Sequence, residues 1–166
     1  EFTLVSKSIT TSGVPQYAPF SGGLSTSSLT AQFSIKVKAV GGILEFGTNQ
    51  ATTSPLIAST SGFIVYKDGV ASTTASSVST STSMTFPTTC VIGTMTNTCA
   101  LAEGSEMTVP ISFSVLGREA TSWAWPNGLW SVGIAQLNWN VDGSASTNST
   151  FMSGEADWKT DAVNFP

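Results

Sequence analysis

Histidine is absent from this 166-residue chain, and charge is scarce: ten acidic and six basic residues leave a net charge of −4. Without histidine, neither a Ser-His-Asp nor a Cys-His nucleophile arrangement can be assembled, and the commonest metal-ligating side chain is missing. Six basic residues scattered singly give no patch that could neutralise a phosphate backbone, which excludes nucleic acid as a partner. No apolar run approaches the 18 or so residues of a membrane-spanning helix, so no membrane insertion of this segment is expected. The first residues carry no signal-peptide pattern, and the chain is expected to be either a mature or an excised piece. Cysteine occurs only twice, at Cys90 and Cys99.

What fills the sequence instead is hydroxyl. Serine and threonine together make roughly 30% of the residues, where an ordinary soluble domain relies on ~25% charged ones. With 40% apolar residues beside them, the chain has the material for a core, which a disordered chain lacks. At this length one domain is expected, without metal or multiple disulfides to hold it. A surface of hydroxyls suits a secreted or cell-surface β-protein. In that setting Cys90 and Cys99, at the two ends of CVIGTMTNTC, are expected to form a disulfide across a hairpin-sized loop.

The strongest pattern runs through LAEGSEMTVPISFSVLG. Met107, Val109, Ile111, Phe113 and Val115 alternate with Thr108, Pro110, Ser112 and Ser114, as a strand with one buried and one solvated face requires. Pro110 cannot donate to a ladder, so this strand or one beside it is expected at a sheet edge. A second alternation sets Phe33, Ile35, Val37 and Ala39 against Ser34, Lys36 and Lys38. GFIVYK reads as a strand closed by the turn dipeptide Asp68-Gly69. The Ser/Thr-rich residues 71–85 can bury little and belong at a sheet edge or in a loop. In LWSVGIAQLNWNV, Trp130, Val132 and Ile134 share one face and Leu137, Trp139 and Val141 the other. A bulge near Ala135-Gln136 would bring both sets to the core.

At the start, TLVSKSIT reads as a strand with Val5 and Ile9 on one face and Leu4 on the other, broken by Lys7. Residues 11–28 are punctuated by Gly, Pro and Ser and read as a linker. The expected organisation is one domain over 1–166: an arm and linker over 1–28, and a core over 29–166. The fold class expected is all-β, an antiparallel β-sandwich of about eight to ten strands, immunoglobulin-like or jelly-roll-like.

The order of hydroxyl-rich strand, Gly turn, LAEGSEMTVPISFSV and GLWSVGI resembles immunoglobulin-like modules of bacterial and archaeal surface proteins. Leu101 to Glu106 stand where those modules carry a Pro-Gly-Glu turn, and Leu129-Trp130 where they carry Gly-Tyr. The resemblance covers roughly residues 29–141. It implies a non-catalytic structural or adhesive module outside the cell, serving as spacer, adhesive surface or polymer subunit.

Residues for other chemistry are few. Glu103 and Glu106 lie at an expected turn and read as solvated, not as the facing carboxylates of a glycosidase. Asp142, Glu155, Asp157 and Asp161 form the one acidic group; a structural calcium ion is the cofactor it suggests, but the spacing fits no calcium loop, so no cofactor is expected. Trp123, Trp125 and Trp130 cluster around one loop and are the candidate ligand-binding residues, as a stacking platform for a surface glycan or an anchor for another surface protein. The plainer reading has them cover the open end of the core. Asn148-Ser149-Thr150 is a glycosylation acceptor pattern. No catalytic residue is expected. A carbohydrate-binding module and a subunit of a donor-strand-type fibre, self-associating through the N-terminal strand, are the alternative functions.

Overall fold

The computed structural model describes residues 1–13, 28–47, 63–71, 79–84, 91–92, 98–116, 128–134, 136–141, 149–152 and 156–164. Almost all of them are extended, and every strand pairing is antiparallel. The protein is all-β. Thirteen strand segments are present among the described residues, more than the eight to ten expected, because three are two-residue pairings that leave no pattern in sequence.

One sheet has the order β1-β2-β9-β6, with β1 over Phe2–Ser12, β2 over Ser28–Lys38, β6 over Ser79–Met84 and β9 over Glu106–Leu116. A second has the order β13-β10-β4-β5, from Val163–Asn164, Leu129–Ile134, Phe63–Lys67 and Val70–Ala71. The third, β12-β11-β3-β8-β7, is built from Ser149–Met152, Gln136–Val141, Leu44–Gly47, Thr98–Leu101 and Val91–Ile92. A 3-10 turn, Ala156–Trp158, precedes β13.

The two alternating stretches pair along eleven residues, from Ser28 opposite Leu116 to Lys38 opposite Glu106. Leu29, Ala31, Phe33, Ile35 and Val37 of β2 and Met107, Val109, Ile111 and Phe113 of β9 are buried. Full burial of one such aliphatic or aromatic side chain contributes about 1.5–3 kcal/mol, so this pair is the largest single block of the core. The second sheet closes on it through Phe63, whose ring stacks on Phe113 at 4.5 Å and lies 6.2 Å from Phe33. The third sheet closes on it through Cys99, whose Sγ is 3.7 Å from Met107 Sδ. All three sheets feed one hydrophobic cluster.

Two sequence expectations change in instructive ways. β10 ends at Ile134 and β11 starts at Gln136, but they lie in different sheets. Both Ile134 and Leu137 reach the core because the chain changes sheets there, as strands at a corner do. In β1 the register with β2 jumps between Leu4 and Ser6, so Val5 is the extra residue of a bulge. Leu4 and Ile9 therefore pack on the core together, with Phe2, while Val5 is 56% exposed, the reverse of the expected face assignment. The arm is also longer than 3–10: β1 reaches Ser12 and β2 begins at Ser28, so residues 11, 12 and 28 belong to strands and not to a linker.

Pro110 sits in an interior strand. It pairs with Ser34 of β2, and the described pairing of the edge strand β6 runs to Met84 opposite Ile111, next to Pro110. The Ser/Thr-rich stretch supplies two edges, β5 and β6. Asp68 and Gly69 both have positive φ, 51° and 82°, as the two central residues of a type I′ hairpin turn do, and they join Lys67 to Val70. Gly104, at φ 78°, holds the third position of the Ala102–Ser105 turn, closed by Ser105 N donating to Ala102 O at 3.0 Å.

Candidate functional site

The best-defined polar arrangement lies at the start of β10. The Asp68 carboxylate accepts a 2.9 Å hydrogen bond from Leu129 N, and Asp68 N donates to Leu129 O at 2.8 Å. The type I′ turn thus clamps the start of β10. A Cβ at Gly128 would come 2.8 Å from Lys67 Cε and 3.1 Å from Asp68 Oδ2, so a larger residue there would displace the Lys67 side chain. Leu129 is 54% and Val70 71% exposed, so this end of the sheet presents two aliphatic side chains to solvent.

Trp130 is not part of that exposed surface. Its register partner is Lys67, and its ring is 2% exposed, in the core with Val132 and Ile134. The Lys67 ammonium lies 6.0 Å from the ring centroid, at the outer limit of a cation–π contact. A buried ring cannot stack on a sugar, so the three-tryptophan platform is corrected to at most two rings. Trp123 and Trp125 lie outside the described residues.

Across the outer face of β10 the chain has a different device. Gly133 has Tyr66 laid over it: a Cβ there would be 3.2 Å from Tyr66 Cε2. Lys159, bridged to Gly133 from the other side, puts its ammonium 4.8 Å from the Tyr66 ring centroid. Thr160 anchors the same segment, its Oγ1 accepting from Val132 N at 3.1 Å and its N donating to Val132 O at 2.9 Å. The arrangement fastens the C-terminal segment to β10 and leaves Tyr66 sandwiched, not offered to a ligand.

Cys99 is fully buried on β8, opposite Ile92 of β7, and Val91 and Ile92 pair antiparallel with Ala100 and Cys99. Cys90 and Asn148 lie outside the described residues. Ser149 and Thr150, the rest of the acceptor pattern, open the edge strand β12. Glu103 and Glu106 are exposed, and Glu106 meets Lys36 at 3.7 Å in a solvated ion pair. Asp157 and Asp161 are exposed; Asp142 and Glu155 are outside the described residues. Among the described residues no group of three or more acidic or cysteine side chains could hold a metal ion.

Sequence reasoning gave no special role to Glu45, which is 2% exposed and makes an interaction of its own on β3. In ILEFG a lone Glu reads as the solvent side of a strand. β3 is instead an interior strand between β11 and β8, and Leu44 and Glu45 are both buried.

The most extensive surface feature is the outer face of the β1-β2-β9 sheet. Register places Thr10 beside Thr30 beside Ser114, Ser8 beside Gln32 beside Ser112, Ser6 beside Ser34 beside Pro110, and Thr3 beside Lys36 beside Thr108. Thr30 Oγ1 and Ser114 Oγ are 3.0 Å apart, a cross-strand hydroxyl pair. Neighbouring rows are about 4.8 Å apart across strands and about 6.7 Å along them, so the face is a grid of hydroxyls with charge only at the Lys36–Glu106 end.

The fold defines the class: an antiparallel all-β protein with one core shared by three sheets. Compared with protein-family profiles, curated proteins and solved structures, the chain finds no match.

Proposed function

We propose that the chain is a non-catalytic structural or adhesive module of an extracellular cell surface, of the immunoglobulin-like sandwich kind its sequence resembles. The observation that carries this reading is the hydroxyl grid on the β1-β2-β9 sheet. Such a face is hydrated by neutral groups, holds no convergent acid–base pair, and depends little on ionic strength. Long antiparallel ladders on either side of a shared core suit a spacer. A Cys90–Cys99 disulfide belongs to the same reading; in its support, Cys99 is not a free thiol. The test is surface accessibility on intact cells that make the protein. Antibody labelling and protease shaving should reach it before lysis, and thiol titration of denatured, unreduced protein should find no free sulfhydryl. Labelling only after lysis, or two titratable thiols, would overturn the assignment.

A second reading, glycan binding through Trp123 and Trp125, is favoured by one observation. Trp123 and Trp125 closely precede in sequence the clamped Leu129, and Leu129 and Val70 are exposed. Aromatic stacking adds about 0.5–1.5 kcal/mol per ring beyond area burial, so affinity would be modest. A glycan array that lights up with the native protein and goes dark with Trp123→Ala/Trp125→Ala supports it; silence with the native protein removes it.

A further inference from the structure

The two long edges of the β1-β2-β9-β6 sheet are built differently. The β1 edge carries two features that oppose pairing with another strand. A bulge at Val5 interrupts its ladder, and Lys7 is exposed in register with Phe33, its ammonium drawn to Asp157 O at 2.8 Å. Bulges and exposed lysines on an edge strand are established ways of closing an edge to intruding strands. The β6 edge has neither. Its register with β9 runs unbroken from Ser79 opposite Leu116 to Met84 opposite Ile111. Its sequence, STSTSM, contains no charge, no proline and no glycine. Among the described residues no strand pairs with its other side. The remaining sheet edges, β5, β7, β12 and β13, are two to four residues long and offer little to add to.

We infer that the edge of β6 that no described strand pairs with is a self-association surface, where β6 of a second copy of this chain pairs antiparallel about a two-fold axis. The occupant follows from charge. In an isologous contact each residue lies near its own copy, so any ionised side chain near the axis meets its like. β6 is a long edge that carries no such side chain, and Thr–Thr and Thr–Ser cross-strand pairs are favourable. A register centred on Thr82, with Ser81 opposite Ser83, keeps each register face aligned with the same face of the copy and joins two four-stranded sheets into eight strands. A head-to-tail contact of β6 with a neighbour's β1 would propagate without closing; the bulge and Lys7 oppose it. The asymmetry of the two edges therefore selects a closed dimer over a fibre. This inference stands apart from the surface-module reading, since a two-fold edge contact requires no particular location.

The contact is small, so the dimer is weak and concentration-dependent. Sedimentation velocity on the native chain should show monomer at micromolar and dimer at roughly millimolar concentration, the range expected of an interface well below ~1,000 Å². Ser81→Lys and Ser81→Glu place charge beside the axis, at the register position opposite Ser114. Each variant alone should remain monomeric with unchanged circular dichroism, and an equimolar mixture should dimerise at least as well as the native chain. That rescue separates a lost contact from a lost fold. A native chain that stays monomeric throughout, single variants that dimerise as the native chain does, or species that grow beyond dimers would each overturn the inference.

Discussion

At the scale of single residues, position within a ladder outweighs residue type. Trp130 and Leu129 are neighbours, one 2% and the other 54% exposed, because successive side chains on a strand face opposite ways. Trp130→Ala should therefore cost about 3–5 kcal/mol in urea unfolding, as core aromatic truncations do, whereas Leu129→Ala should cost a few tenths. A near-equal effect of the two would refute the core placement. Gly133 makes a sharper case. Gly133→Ala pushes a methyl to 3.2 Å from a Tyr66 ring that Lys159 holds from above, and overpacking of this kind costs about 1–3 kcal/mol. Removing the ring should remove most of that penalty, so Gly133→Ala in a Tyr66→Ala background should be close to neutral. Additive losses in the double-mutant cycle would show that the strain lies in the backbone instead.

At the scale of elements, strands that alternate cleanly were legible before any coordinates. Phe33, Ile35 and Val37, and Met107, Val109, Ile111 and Phe113, face the core as their periodicity requires, and Asp68-Gly69 makes its hairpin turn. What periodicity cannot reveal is a change of partner. The bulge at Val5 is hidden because Ser6, Lys7 and Ser8 carry no apolar phase to shift, and the passage from β10 to β11 looks like one long strand in sequence. Glu45 was invisible for the same reason: burial of both faces is a property of neighbours. The candidate site suffered most, since whether a tryptophan near a loop points in or out is set by one residue of register. The arm can be tested directly. Phe2, Leu4 and Ile9 are partly buried, worth about 1 kcal/mol each, and β1 covers the ladder of β2. Deleting residues 1–12 should lower unfolding stability by about 3 kcal/mol; an unchanged denaturation midpoint would mean that the pairing does not persist in solution. The proposed disulfide closes ten residues, 90–99, and loop entropy assigns it about 2.5–3 kcal/mol. Reduction should shift thermal unfolding downward accordingly, and a reductant-insensitive transition would count against the bond.

At the scale of the whole molecule, the chain has little charge with which to keep copies apart, so solubility rests on how its edges and faces are finished. The hydroxyl grid is neutral and hydrated, and three sheets share one core. Among the described sheet edges, four are too short to recruit a strand and β1 and β6 are the long ones, and β1 is the one whose finish can be undone by small changes. Deleting Val5 removes the bulge without moving the register, since Leu4 and Ser6 already face the consecutive residues Ile35 and Ser34. Lys7→Val then makes the position in register with Phe33 apolar and frees Asp157 O. The combined variant should keep its fold, because Lys7 is exposed and its removal opens no cavity. Its β1 edge, now regular and uncharged along Leu4–Ile9, should accept the β6 edge of another copy. Heterologous pairing of this sort does not close on itself. Light scattering of the variant should therefore grow with time and concentration into extended species, while the native chain stops at the dimer. A folded variant that remains no larger than the native chain would show that the bulge and Lys7 are not what keeps this edge closed.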